Sequence, residues 1–256
     1  MRSIDFRNNT NNRYWWHNLD DTDYVPDVYR LLSDEEWELL ESWFKETEKR
    51  FTGTGEMQIP AISFLSGLIN GNGLSRIVQC GHYIGYSSLL LGFLLRRMNK
   101  TQCIFSIDID EKITEYTREW IQKAKLNNQI YLCINNSADP ELPGMVDTYF
   151  SGRKPQLVLI DSSHQYDHTI KELDLWWPYL DNGGFLIMHD VSVFASDFDR
   201  SSKGGVHKAI NDWLASKNNQ DYNFLRINNF VNGLHNGNDL SYKDGCGLGI
   251  IQKSLK

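Results

Sequence analysis

From Arg76 to the end of this 256-residue chain, short apolar runs alternate with stretches of helical spacing, and that alternation constrains the fold more than any other feature. Candidate strands are Arg76–Cys80, Gln102–Ile107, Gln129–Ile134, Gln156–Ile160, Phe185–Met188, Asn223–Ile227 and Leu248–Ile251. Candidate helices between them are Ser87–Met98, Glu111–Leu126, His168–Leu180 and Gly205–Lys217. Strands covered on both faces read as unbroken Val/Ile/Leu runs, and strand–helix alternation implies an α/β fold with a doubly wound, mostly parallel sheet. The last two strands are separated by the turn-rich Asn228–Gly247 rather than by a helix, so they are expected to pair antiparallel.

The region before this alternation is different. Met1–Gly73 has no convincing buried strand and reads as an N-terminal helical cap, not an independent unit, ahead of the α/β domain at 74–256. Ser33 precedes Asp34, Glu35 and Glu36, a hydroxyl cap with acids in the first turn. Trp37, Leu40, Phe44 and Thr47 follow at helical spacing, which predicts a helix over Ser33–Phe51, with a second over Ile59–Asn70.

Composition narrows the function classes. Apolar residues at 41% and charged residues at 23% are globular values. A net charge of −7 without a basic stripe argues against a nucleic-acid partner. The longest apolar run, Leu89–Leu95, is far below the ~20 residues that span a bilayer, and Met1–Asn12 lacks the apolar core of a signal peptide. Cys80, Cys103, Cys133 and Cys246 form no C-x-x-C pair, which fits a reducing compartment. The expectation is a soluble, cytoplasmic protein, with self-association favoured if the aromatic cap is exposed.

In an open α/β sheet ligands bind beyond the carboxyl ends of the strands, so each strand tip is a candidate site. The first strand runs into Gln79-Cys80-Gly81-His82-Tyr83-Ile84-Gly85-Tyr86-Ser87-Ser88. Gly81 and Gly85 suit either a close backbone approach to a ligand or any tight turn, with the Ser87 and Ser88 N–H groups opening a helix. The spacing is G-x-x-x-G, not the dinucleotide fingerprint G-x-G-x-x-G. The second strand ends at Asp108, placed to accept ribose hydroxyls, while Asp110 reads as a helix cap. The fourth strand delivers Asp161 and, three residues on, His164; the fifth delivers His189 and Asp190. If the two strands are adjacent, Asp161 and Asp190 stand side by side, and paired carboxylates need a cation or a proton between them. A histidine at the position of His164 is a candidate proton acceptor. His189 and Asp190 point to opposite faces unless the strand has already broken.

These segments, with Trp176-Trp177-Pro178 and Asn182-Gly183-Gly184, follow one another in an order that resembles the class I S-adenosylmethionine-dependent methyltransferases, nearest the macrocin O-methyltransferase and cephalosporin-hydroxylase-like branch. The resemblance covers about 76–214. It implies a seven-stranded sheet ordered 3-2-1-4-5-7-6, with Gln79, Gly81, Tyr83, Gly85 and Ser87 on the methionine side of the cofactor and Asp108 on the ribose. Ser137, Ala138 and Asp139 would flank the adenine, and Asp161 would lie against the cofactor as well. In metal-dependent relatives, acids matching Asp161 and Asp190 bind Mg²⁺ and a histidine matching His164 is the base. Gln79 stands where the family usually has an acid, and His189 where metal-dependent relatives tend to have Glu, which leaves a weaker Mg²⁺ site or one for a softer ion. His189 is carried as a third metal candidate.

The implied reaction is O-methylation of a small-molecule hydroxyl, on a sugar or natural product, with metal assistance open. The alternatives are a non-catalytic binding member of the fold and a nicotinamide-dependent oxidoreductase, the latter disfavoured by the missing third glycine. Tyr14, Trp15, Trp16, Trp37 and Trp43 serve either to stack on the acceptor ring or to pack. Ser192–Gly205 reads as a lid.

Overall fold

The computed structural model describes residues 25–51, 56–57, 59–227, 242 and 244–255. Seven strands form one sheet: β1 (Ile77–Cys80), β2 (Ile104–Asp108), β3 (Ile130–Ile134), β4 (Leu157–Ile160), β5 (Phe185–His189), β6 (Tyr222–Ile227) and β7 (Leu248–Lys253). Their order is β3-β2-β1-β4-β5-β7-β6, as expected. β1 to β5 are parallel, while β7 pairs antiparallel with both β5 and β6. β1 and β4 are buried at every position. This is why their sequences carry no polar alternation.

The helices are α1 (Asp27–Arg30), α2 (Asp34–Arg50), α3 (Ile59–Asn72), α4 (Tyr86–Arg97), α5 (Glu111–Lys123), α6 (Leu142–Tyr149), α7 (Tyr166–Tyr179) and α8 (Gly205–Ala215). One core joins α1, α2 and α3 to α4, α5 and one face of the sheet. The other joins the opposite face to α6, α7 and α8. The N-terminal helices therefore pack as part of the sheet's own layer. Ser33 caps α2 through a reciprocal box with Glu36, whose carboxylate also accepts from Arg96 at 2.6 Å and Arg97 at 3.1 Å on α4.

Trp37 and Trp43 are buried in this layer, so packing is their role. The Trp43 indole donates to the Ile84 carbonyl at 2.8 Å and ties α2 to the β1–α4 loop. Tyr14, Trp15 and Trp16 lie outside the described residues, as does 228–241 of the turn-rich stretch. Helix α6 has no counterpart in the sequence reading. It is eight residues long and begins Leu142-Pro143-Gly144, too short and too rich in breakers to display a helical period. All four cysteines are buried and free. No described helix is long and apolar enough to cross a membrane.

Candidate active site

A cavity of about 640 Å³ opens over the carboxyl ends of the central strands. Its floor is the β1–α4 loop. Gly81 has φ +88, and a Cβ there would lie 2.1 Å from the Asp161 carbonyl oxygen and 2.9 Å from the Ser162 Cα. Only glycine lets the first strand's loop pass this close to the fourth strand's tip. Tyr83 lines the cavity with φ +42.

Asp108 closes the second tip. Its Oδ2 accepts from the His82 N–H at 3.2 Å and the Tyr83 N–H at 3.0 Å, and its Oδ1 from the Asp110 N–H at 3.1 Å. The carboxylate thus shapes the loop and still keeps lone pairs toward the cavity it lines. Asp110 caps α5 through the Ile113 N–H at 3.0 Å, as its position implied. His82 is buried between two hydroxyls, Ser106 Oγ at 3.0 Å from Nδ1 and Thr114 Oγ1 at 3.0 Å from Nε2. Burial first, offset in part by the nearby Asp108, lowers its pKa to about 4, so it is a neutral strut under the loop.

Several residues expected at the cofactor stand elsewhere. Gln79 is wholly buried and absent from the cavity wall, donating to Ser87 Oγ at 2.8 Å and accepting from Ser88 at 2.9 Å and Ser106 at 3.2 Å. Three hydroxyl partners hold its amide inside the fold. Ser87 does line the cavity, with its hydroxyl on Gln79. Gly85 is the left-handed N-cap of α4, packed on Thr117, and Gly85, Ala138 and Asp139 are absent from the cavity wall. Asp139 instead accepts from the Glu141 N–H at 2.9 Å. Ser137 is in the wall, beside Asn136.

The fourth and fifth tips carry the charge. β5 ends at His189, and Asp190 takes φ +61, so the alternation of faces is broken there. The break lets both residues face Asp161. His164, also left-handed at φ +59, sets Nε2 3.1 Å from Asp190 Oδ2 and 4.0 Å from Asp161 Oδ1. Its ring rests near Phe198, at 5.8 Å, rather than in the core. Backbone strain of this kind, about 1–3 kcal/mol per residue, persists where surrounding structure over-determines it.

His189 Nδ1 lies 3.5 Å from Asp161 Oδ1 and 3.4 Å from Asp190 Oδ2, while Nε2 meets the buried Asp244 at 2.8 Å. Burial by itself would lower its pKa, but Asp190 and Asp244, with hydrogen bonds to Asp161 and Asp190, hold it well above the ordinary value. Burial likewise opposes ionisation of Asp190, and the charges of His189 and His164 overcome it, keeping the carboxyl below its ordinary range. His189 is thus biased toward its protonated form by the three carboxylates around it. With Nε2 on Asp244, His189 stands outside the cluster of atoms placed to share an ion. The atoms arranged to hold an ion are those of Asp161, His164 and Asp190, all within 4.8 Å of one another.

Ser192–Gly205 is a folded segment rather than a loose lid. It contains a 3-10 turn at Phe194–Phe198, and buried Asp199 accepts from Ser201 N and Oγ, Lys203 N and Gly205 N at 2.6–3.1 Å. Burial would raise the Asp199 pKa, but these donors lower it to about 2. The next residue, Arg200, reaches the cavity wall.

Sequence reasoning missed Glu56, Met57, Asn136, Ser162, His168 and Arg200 as cavity residues, and Asp244 as a partner of His189. Ser162 and Asn136 adjoin positions that had been singled out. Asp244 is 55 positions from His189 and carries no local signal.

Residues 78–191, from β1 to just past the end of β5, match the family model described as a methyltransferase domain. The match covers less than half of this chain. The chain's strand order and helical layers recur in solved structures. The O-methyltransferase from Bacillus cereus in complex with SAH is 16% identical, with 91% of this chain and 96% of that one covered and a TM-score of 0.63. TomG, the O-methyltransferase from Streptomyces achromogenes in complex with SAM, is 14% identical over 85% and 90%, with a TM-score of 0.64. The SAH-bound methyltransferase PaMTH1 from Podospora anserina is 16% identical over 88% and 89%, with a TM-score of 0.58. At these identities the likeness is one of fold. No curated protein matches the chain.

Proposed function

We propose that the chain binds S-adenosylmethionine against Gly81, Tyr83, Asp108 and Ser137 and moves its methyl group to the hydroxyl of a small molecule. The observation that carries the reading is His164, held at 3.1 Å by Asp190 at the wall of the same cavity that Asp108 and the Gly81 loop line. A carboxylate at that distance keeps a proton on Nε2 and leaves Nδ1 as the basic nitrogen. In an in-line displacement the C–O bond forms as the C–S bond breaks, its electron pair passing to sulfur and the hydroxyl proton to His164. A sulfonium is already activated, so alignment and exclusion of water are the protein's main contributions.

One observation favours a second arrangement of the same chemistry. Asp161, His164 and Asp190 offer two carboxylates and one imidazole, a donor set suited to a borderline divalent ion. Such an ion would polarise the acceptor oxygen, and His164 would then be its ligand rather than the base. Turnover that survives exhaustive chelation selects the base; turnover lost to chelation and restored by one divalent ion selects the metal.

The test of the function itself is calorimetry of the full chain with S-adenosylmethionine and S-adenosylhomocysteine, followed by a screen of hydroxyl acceptors read by S-adenosylhomocysteine release. Binding of both, with at least one acceptor turned over, is the expected result. Well-folded protein that gives no heat with either molecule overturns the reading.

A further inference from the structure

We infer that Arg200 selects the acceptor, and that the hydroxyl compound methylated here carries a carboxylate. The inference rests on the function proposed above and names the chemical class of its acceptor.

Among the residues that line the cavity, Arg200 is the single lysine or arginine, set against the acids Glu56, Asp108 and Asp161. It is exposed, and among the described residues its guanidinium has no hydrogen bond and no ion pair. The neighbouring cations are occupied, Lys203 by Asp167 at 2.6 Å and Lys208 by Asp212. Two of the wall acids are engaged as well. Asp108 accepts from the His82, Tyr83 and Asp110 N–H groups, and Asp161 faces His189 Nδ1 at 3.5 Å. Arg200 is therefore the cation in this wall that is available to an incoming anion.

The backbone that carries it is fixed. The preceding residue, Asp199, is buried and gathers the Ser201, Lys203 and Gly205 donors. The Gln165 amide donates to the Phe198 carbonyl at 3.2 Å, and a Cβ on Gly205 would lie 3.2 Å from the His164 carbonyl oxygen. The turn is thus docked on the loop that bears His164, with the Phe198 ring 5.8 Å from the imidazole. That placement assigns the guanidinium to the acceptor. On the proposed function the cofactor's own carboxylate lies with its methionine, along the Gly81–Tyr83 loop.

A guanidinium presents its N–H donors in a rigid fork that matches a carboxylate. In a wall otherwise lined by acids, an anionic acceptor is repelled unless this fork engages it. One fixed positive charge balances one carboxylate. A phosphate, with a charge of about −2, would leave negative charge standing against Asp108 and Asp161.

The experiment screens matched pairs on the full chain with S-adenosylmethionine, dihydroxybenzoate and glucuronate each beside its methyl ester, read by S-adenosylhomocysteine release. At least one acid is expected to be methylated with a KM about tenfold or more below that of its ester, the effect of hydrogen bonds to a charged group, and with kcat alike. Arg200→Gln should bring the two KM values together. Arg200→Lys, which keeps the charge without the fork, should keep part of the gap. Calorimetry with S-adenosylhomocysteine should give the same affinity for Arg200→Gln as for the wild type. Esters methylated as well as their acids, or no acid methylated by protein that binds S-adenosylhomocysteine, overturns the inference alone. So does an Arg200→Gln variant that loses S-adenosylhomocysteine affinity and keeps the gap between acid and ester, which puts the guanidinium on the cofactor. Well-folded protein that binds no S-adenosylhomocysteine overturns the inference together with the proposed function.

Discussion

Two histidines are buried at the strand tips of this sheet, His82 after β1 and His189 at the end of β5, with exposures of 2% and 5%. Their burial is alike and their chemistry is opposite. His82 sits between the Ser106 and Thr114 hydroxyls and is held neutral; His189 sits among Asp161, Asp190 and Asp244 and is biased toward the charged form. Burial disfavours the charged form of both, so the neighbours decide. The contrast extends to the cavity's two sides. Around the β1–α4 loop, hydroxyls and backbone amides hold a rigid shape, with Asp108 as the carboxylate at the wall. At β4 and β5, fixed charges of both signs surround His164. On the proposed function, the first side positions the ligand and the second handles a proton or an ion.

The largest expected effect separates these roles directly. His164→Ala should reduce turnover by about 10²–10⁴-fold, the usual contribution of a general base, with S-adenosylhomocysteine affinity unchanged within a factor of two or so. A comparable loss of affinity would erase the division between the sides. Next is Asp244→Ala, which leaves the His189 charge with one buried partner fewer. Breaking a buried pair in this way should lower stability by about 3–5 kcal/mol in urea titrations.

The two histidines also predict opposite pH dependences of stability. The folded-state pKa of His82 is lowered from 6.5 to about 4, so its contribution is present above pH 6.5 and is lost as pH falls toward 4. This amounts to on the order of 3 kcal/mol. For His189 the folded-state pKa is raised, so its contribution is complete below pH 6.5 and is lost as pH climbs through the raised value. Urea titrations from pH 4 to 9 should therefore lose their acid-side slope in His82→Gln and their alkaline-side slope in His189→Gln, each variant keeping the other slope. The smallest effect sharpens the comparison within the first side. Asp110→Ala should remove an N-cap worth about 1 kcal/mol and leave cofactor affinity intact. Asp108→Ala, two residues earlier, should weaken it at least tenfold.

How much of this was legible beforehand depends on the range of the interaction. Asp161, His164 and Asp190 were readable because each lies at or just beyond the end of an apolar run, and strand ends are where such sheets bind ligands. The Ser33 cap and the Asp110 cap were readable because their partners are three residues away. Gln79 lies at the expected strand tip but is not part of the cavity wall. Ser87, Ser88 and Ser106 converge on the amide only after β1, β2 and α4 have packed. Trp37 and Trp43 were open between stacking and packing until the N-terminal helices were set against α4. The short α6 and the Asp199-pinned segment left no periodic trace.

By itself the sequence determined the sheet, its strand order through family resemblance, the antiparallel last pair, and the tips at which chemistry is concentrated. These follow from periodicity and from residues adjacent along the chain, which local backbone geometry converts directly into structure. Only the tertiary structure decided which polar groups line the cavity and which stand outside its wall, and which of two buried histidines is biased toward the charged form. Those outcomes depend on partners brought together from distant segments, Asp244 for His189 and Glu172 for Ser137, and a buried polar group takes its state from the groups that surround it.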